Sequence, residues 1–345
     1  MKEKQMSRRS FVKVSTASVA AMSVPSIASA RTAEAPAAAP QQQGGAAQNY
    51  IPAWRPGDPD SFTRYYFDSL MLETRYLDSD IPSTKFELFG ETFDTPIMTA
   101  ALSHLHNPAN GMAIYAQAAK DCNAVHWMGM GEDKELEEVL ATGARTIKVI
   151  KPHRDNAEVF RRIKHAIGAG CFAIGMDIDH SFNSTGGYDV VMGVPMKNET
   201  FEDLKSFVKA SSLPFIVKGV LSVSDARKCL DAGVAGIVLS HHGGRVKYSI
   251  PPLMALEPIL DAVGGKMKIF LDCGVVSGMD AYKALALGVD AVSVGRHLMP
   301  LVQDGVEAVA KRMRAMTAEL AGVMAATGVT SLDKMDPTVI HRTMF

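Results

Sequence analysis

The chain has 345 residues, 47% of them hydrophobic, and its 36 basic and 37 acidic residues leave a net charge of −1. That length can bury one large core, since α/β barrels use about 250 residues as a single unit. The interspersed charges exclude the basic field that nucleic-acid binding needs, and beyond the N-terminal segment no apolar run reaches the ~18 residues required to span a bilayer.

The first element is an address. Ser7-Arg8-Arg9-Ser10-Phe11-Val12-Lys13 precedes a mildly apolar stretch from Val14 to Ile27 and then Ala28-Ser29-Ala30. Paired arginines, a modest apolar region and an Ala-x-Ala site are the parts of a twin-arginine signal peptide. Residues 1–30 are therefore expected to send the protein out of the cytoplasm, to the periplasm or its equivalent. Residues 31–54 are rich in Ala, Pro, Gln and Gly and read as a flexible linker, leaving 55–345 as the folded domain.

From residue 95 onward, short apolar runs alternate with amphipathic stretches. Strands are predicted at 95–102, 124–129, 145–151, 172–177, 214–220, 236–240, 268–273 and 291–295, each a near-continuous apolar or β-branched run suited to burial on both faces. Apolar spacings of three and four predict helices at 133–141, 157–168 and 302–324. Gly143, Gly170, Gly233 and Gly288 stand where helices should stop before the next strand. Eight consecutive βα units predict a closed (β/α)8 TIM barrel rather than an open sheet.

The active face of such a barrel is the rim at the C-terminal ends of the strands. Seven of the ten histidines (His104, His106, His153, His180, His241, His242 and His297) fall at or just beyond a predicted strand end. The four cysteines occur singly and are expected to be free. The densest motif, Ser240-His241-His242-Gly243-Gly244-Arg245, ends the sixth strand. Its glycines let backbone approach a flat ligand, a histidine can act as a base, and an arginine fork can grip a carboxylate. Val217-Lys218-Gly219, Asp272-Cys273-Gly274 and Gly295-Arg296 end strands five, seven and eight, the last two matching the usual phosphate site of this barrel.

This ordered set, with Lys-Ala-Leu-Ala-Leu-Gly at 283–288, resembles the FMN-dependent 2-hydroxy-acid oxidase/dehydrogenase family, densely over 214–300 and thinly over 63–335. The resemblance implies FMN as cofactor and oxidation of a small 2-hydroxy acid to the 2-oxo acid. It implies His242 as the base, Asp177 as the carboxylate that pairs with it, Arg245 as carboxylate anchor and Lys218 beside the flavin ring. It further implies that Thr99, Ala100, Ala101, Gly129, Ser240, Asp272, Gly274, Gly295 and Arg296 surround the cofactor. It also implies a homo-tetramer.

The chain departs from the family's pattern at the substrate clamp. A second arginine would fall near Ser184, a tyrosine near Lys151 and a phosphate-holding arginine at Val276, while an N-terminal tyrosine has no counterpart before Phe62. Lys148, Lys151, His180 and His104 are the rim residues expected to substitute, with Lys151 and His180 placed on the substrate. Without a CxxCH or GxGxxG segment, electrons must leave to oxygen or to a separate carrier. Three alternatives stay open: a flavoenzyme reducing or isomerising another small acid, a non-catalytic flavin- or ligand-binding barrel, and a metal held by rim histidines with Asp179. The preferred reading holds no metal.

Overall fold

The computed structural model describes residues 54–343; the signal at 1–30 and the linker at 31–54 lie, apart from Trp54, outside the described residues. Eight parallel strands form the barrel: β1 (Ile97–Thr99), β2 (His126–Met128), β3 (Thr146–Ile150), β4 (Ala173–Asp177), β5 (Phe215–Val220), β6 (Gly236–Leu239), β7 (Lys268–Leu271) and β8 (Ala291–Val294). Each lies within a predicted segment. They pair in the order β1-β8-β7-β6-β5-β4-β3-β2. The ring is completed where Thr99 N–H donates to Val125 C=O at 3.2 Å and Gly129 N–H to Leu102 C=O at 2.7 Å.

Helix α1 (Pro59–Asp68) precedes the barrel, the crossovers are α2 (Gly111–Asp121), α3 (Asp133–Ala141), α4 (Asn156–Ala169), α5 (Phe201–Ala210), α6 (Val223–Asp231), α7 (Leu256–Val263) and α8 (Gly278–Ala286), and α9 (Val306–Ala326) follows β8. Local chemistry starts and stops them. Asp58 caps α1 ahead of Pro59, Thr200 and Asp203 form a capping box on α5, and Ser222 and Ser277 cap α6 and α8. Gly143, Gly170, Gly233 and Gly288 have φ of +82°, +87°, +82° and +109°, which end helices at little steric cost.

Strand alternation creates two cores. Ile237 and Leu239 face the helices, whereas Val238 joins Met98, Trp127, Ile216 and Phe270 inside the barrel. A hairpin of Phe86–Leu88 and Glu91–Phe93 adds Phe86, Leu88 and Phe93 to that interior cluster. Each fully buried side chain of this size contributes about 1.5–3 kcal/mol. At the opposite, C-terminal end, the inward positions turn polar. The barrel is completed by a strap in which Leu70–Leu72 pairs antiparallel with Ile340–Arg342.

Candidate active site

Lys218 and Asp177 are register partners at the ends of β5 and β4, and both point into the barrel with 4% and 2% exposure. Lys218 Nζ lies 3.5 Å from Asp177 and 3.4 Å from Asp272 at the end of β7, and 3.2 Å from Ser240 Oγ. Lys151 forms a close ion pair with the other oxygen of Asp177. Burial opposes the charge on Lys218, but Asp177, Asp272 and Asp179 outweigh it and hold its pKa above that of an ordinary lysine. Burial likewise opposes ionisation of Asp177, yet Lys151 and Lys218 keep its carboxyl well below the usual range. This ring is charged and rigid.

His242 sits above it, at the start of three consecutive residues with left-handed backbone: φ is +53° at His242, +68° at Gly243 and +91° at Gly244. Glycine pays little for that conformation; histidine does pay, so the loop holds the ring by force of its surroundings. His242 Nδ1 lies 2.8 Å from Asp179 Oδ1, and 3.4 Å from both Asp177 and Lys218. Burial and Lys218 depress the basicity of His242, while Asp177 and hydrogen bonds to Asp177 and Asp179 more than restore it, leaving its pKa raised. The expected partner Asp177 is therefore near, but Asp179 is nearer. His180 Nε2 lies 3.4 Å from His242 Nε2, with the two rings at right angles.

Arg245 does not point freely at a substrate position. Its guanidinium donates to Asp189 at 2.7 Å and to the Phe182 carbonyl at 2.8 Å, and lies 2.9 Å from His180 Nδ1. His180 Nδ1 is also 2.8 Å from Asp189. Burial, Lys151 and His242 push the pKa of His180 down to about 4. Asp189 belongs to the loop of residues 178–198, which carries a small hairpin of Val190–Val191 and Val194–Pro195. The arginine expected to anchor a carboxylate is engaged instead by a carboxylate of the loop.

Beside the ring lies a cleft of about 320 Å³ lined by residues from β1, β5, β7 and β8 and their loops, and by α1. Of the residues expected around the cofactor, Ala100, Ala101, Lys218, Asp272, Gly274, Gly295 and Arg296 line it, as does His242. Three do not. Thr99 points outward through the wall to His126 Nδ1 at 2.8 Å, because Met98 takes the inward position. Gly129 instead permits β1 and β2 to close, since a Cβ there would lie 2.4 Å from Ser103 Oγ. Ser240 sits beneath the cleft, accepting from His242 N–H at 3.1 Å.

The cleft fits a flat ring with an anionic tail. A Cβ on Gly295 would press on Ala100 at 3.2 Å, and one on Gly274 would meet Thr63 at 2.5 Å, so the lining is as small as it can be. Lys218 supplies a buried ammonium. At the far end His297 Nε2 accepts from Arg312 Nε at 2.7 Å, which leaves the ring's proton on Nδ1. That Nδ1 is buried and has no hydrogen-bond partner among the described residues, a donor available to an anion. Arg312 also donates to the Val276 carbonyl at 2.8 Å, so a side chain from α9 serves the loop that lacks its own arginine. Arg296 shares its guanidinium with Asp60 of α1.

Several expected substitutes are placed elsewhere. Lys151, expected on the substrate, pairs with Asp177 and is 5% exposed, a placement in which it supports the ring. Lys148 points outward to the Gly129 carbonyl at 2.5 Å, and burial and Arg162 lower its pKa to about 8. His104 and His106 pair with each other beside α2 and α3, away from the ring. His241 pins the β6 loop to α1 through Thr63 at 2.8 Å. Asp177, Asp179, His180 and His242 converge within 4.8 Å, but the ammonium groups of Lys151 and Lys218 already balance the charge of that group. Cys122, Cys171, Cys229 and Cys273 are free thiols. The sequence reading missed Asp60, Arg64 and His297 as cleft residues and Asp179 as the nearest partner of His242. The spacing of Asp179, two residues past the strand-end Asp177, was the one available signal.

Comparison with known proteins gives this geometry a context. The family of FMN-dependent dehydrogenases matches residues 61–199 and 189–342. Glycolate oxidase 3 of Arabidopsis thaliana is 30% identical over 292 residues, covering 73% of this chain and 79% of that one. L-lactate oxidase of Roseobacter sp. (strain GAI101) is 27% identical over 294 residues, with 74% and 79% covered. Among solved structures, a mandelate oxidase mutant with a monooxide FMN adduct superposes with a TM-score of 0.75 at 26% identity, covering 86% of this chain and 94% of that one. Mandelate oxidase with 3,3-difluoro-2-hydroxy-3-phenylpropionic acid gives the same TM-score at 27% identity, with 84% and 91% covered.

Proposed function

This chain belongs to the FMN-dependent dehydrogenase family and is an FMN-dependent oxidoreductase, and from that premise we propose that it oxidises a small 2-hydroxy acid to the corresponding 2-oxo acid outside the cytoplasm. The observation that carries the reading is the juxtaposition of a basic, carboxylate-backed His242 with the glycine-lined cleft over Lys218. Bound FMN supplies the two-electron acceptor. The cleft residues Ala100, Ala101, Gly274, Gly295, Arg296 and His297 would hold it, and Lys218 would supply positive charge to stabilise negative charge on it.

The remaining work falls to the chain's own groups. His242, with Nδ1 held by a carboxylate, keeps Nε2 to take the substrate's hydroxyl proton. Arg245 receives the substrate carboxylate by exchanging it for Asp189, an anion already in place. His180 borders the substrate position between His242 and Arg245. The loop of residues 178–198 withdraws Asp189 as substrate enters and shields the proton transfer from water. The twin-arginine segment supports export, and electrons pass to oxygen or a separate carrier.

The test is the absorbance of FMN-loaded protein under anaerobic titration with a panel of 2-hydroxy acids. Bleaching of the flavin bands by at least one acid, slowed 10²–10⁴-fold by His242→Ala while flavin stays bound, is the expected result. Flavin bands that no acid bleaches, yet that an external reductant bleaches and an unsaturated acid restores, would move the reaction to the reductive direction.

A further inference from the structure

Resting on the reading of His242 as the base, we propose that Asp179 is its positioning carboxylate: it holds the Nδ1 proton and thereby leaves Nε2 unprotonated and aimed at the substrate. Three observations carry this. The first is distance, 2.8 Å from Asp179 Oδ1 to His242 Nδ1 against 3.4 Å from Asp177. Only the former is a hydrogen bond of ordinary length. The second is commitment. Asp177 pairs with Lys151 through one oxygen and stands 3.5 Å from Lys218 and 3.4 Å from His242 through the other, an oxygen that makes no hydrogen bond of its own among the described residues. Asp179 Oδ1, in contrast, makes its hydrogen bond to His242, and its second oxygen, also buried, has no hydrogen-bond partner among the described residues. Asp179 thus has His242 as its one strong partner there.

The third is a seat built for it. The pairing of β5 with β6 slips between Lys218 and Val220, and Gly219 stands in the slip with φ +97°. A Cβ at Gly219 would lie 2.7 Å from Asp179 Oδ2 and 2.9 Å from its Cβ. A glycine bulge at this point re-aims the strand end and leaves room for a neighbouring side chain. Asp179 reaches that seat because β4 runs straight into a single 3-10 turn, Ile178–His180. The two carboxylates therefore divide the labour: Asp177 neutralises the lysines of the barrel mouth, and Asp179 sets the tautomer of the base. Around His242 stand Asp177, Asp179 and His180 from the β4 end, Lys218 from β5, and Asp272 from β7, with Lys151 of the β3 end acting through Asp177.

Histidine-labelled, FMN-loaded protein tests the assignment by proton–nitrogen NMR, with the His242 signals identified through His242→Gln. Retained flavin absorbance and circular dichroism certify each variant as folded. The expected result is a downfield Nδ1 proton on His242 that Asp179→Ala abolishes, with the titration midpoint falling by about 1 unit or more in Asp179→Asn. Gly219→Ala, which keeps the carboxylate but fills its seat, reproduces the loss, and Asp179→Glu recovers part of the downfield shift. With substrate, Asp179→Asn slows flavin bleaching roughly tenfold or more with little change in KM. If Asp179→Ala and Gly219→Ala leave the Nδ1 proton and midpoint in place, while Asp177→Asn removes them, the proposal is overturned. Because the NMR readout needs no substrate, a protein bleached by no acid defeats the hydroxy-acid reading without touching this one.

Discussion

The two sides of the active face were built differently. The cofactor side stands on strand ends: Ala100, Lys218, Asp272, Gly274 and Gly295 are fixed by β1, β5, β7 and β8 and match the family's motifs. The substrate side stands on the 178–198 loop and the left-handed turn at 242–244, and there almost every expected partner has been exchanged. Lys151 supports Asp177, Asp189 engages Arg245, and Asp179 displaces Asp177 at His242. A strand end cannot move without disturbing the sheet, whereas a loop can be rebuilt around a constant cofactor. On the proposed reading, binding of flavin and choice of substrate should be separable in this barrel.

The ring beneath both sides is where that separation should break. Asp177→Ala leaves Lys151 buried without its counter-charge and Lys218 with Asp272 and Asp179 alone, and a stability loss of about 3–5 kcal/mol is expected by urea denaturation, together with loss of flavin. A variant within 1 kcal/mol of the parent would show that the ring does not support the two sides in common.

Acid should weaken the barrel that carries both sides. His126 and His297 are neutral in the fold, since burial, aided by Lys148 and by Arg312 respectively, lowers their pKa from 6.5 to about 3 and about 4. Their folded values lie below the unfolded one, so the unfolded chain takes up protons first. Their contribution is full above pH 6.5 and is lost progressively as pH falls toward 4 and 3. Asp177, also depressed, adds its loss only below the unfolded carboxylate value of about 3.9. Urea midpoints should therefore decline from pH 7 to pH 5; flat midpoints over that range contradict the neutral burial of these rings.

Two smaller effects sharpen the division. Asp189→Ala frees Arg245 of its internal anion, and KM for hydroxy acids should fall roughly tenfold with flavin affinity unchanged. A rise in KM would mean that Asp189 orients Arg245 for substrate instead of competing with it. His297→Ala should weaken FMN binding roughly tenfold, read by recovery of flavin fluorescence on dilution, while KM stays put. Unchanged FMN affinity would remove His297 from the anion site.

The barrel was legible because strands buried on both faces must be continuous apolar runs, and all eight fall inside the segments so identified. Parity along a strand is legible too. With Ile147 and Val149 inside the barrel, Lys151 continues the inward series and Lys148 faces out, and Met98 sends Thr99 outward in the same way. The family-like Asp-x-Gly loop also explains itself: Cys273 has φ +66°, a conformation that glycine adopts freely and cysteine does not. What could not be read were contacts across long sequence separations. Asp60 and Arg64 enter the cleft from α1 with no motif around them, and His297 becomes an anion donor only because Arg312 of α9 occupies its other nitrogen. The exchange of Asp177 for Asp179 depends on a bulge at Gly219, forty residues downstream in another strand.

The strap of Leu70–Leu72 and Ile340–Arg342 sets an order on biosynthesis. Glu73 N–H donates to the Val339 carbonyl and Thr343 N–H to the Ser69 carbonyl, both at 2.9 Å, so the segment just after α1 finds its partners only in the last residues described. During vectorial synthesis those residues emerge long after Leu70–Leu72, so this antiparallel pair is among the last contacts to form, whereas α1 is also held by Asp280, His241 and Arg296. A chain in which residues 339–342 have not yet emerged leaves Leu70, buried in the finished fold, without its cover and open to chaperones and proteases. The pairing thus makes the seating of the segment after α1 wait for the emergence of residues 340–342.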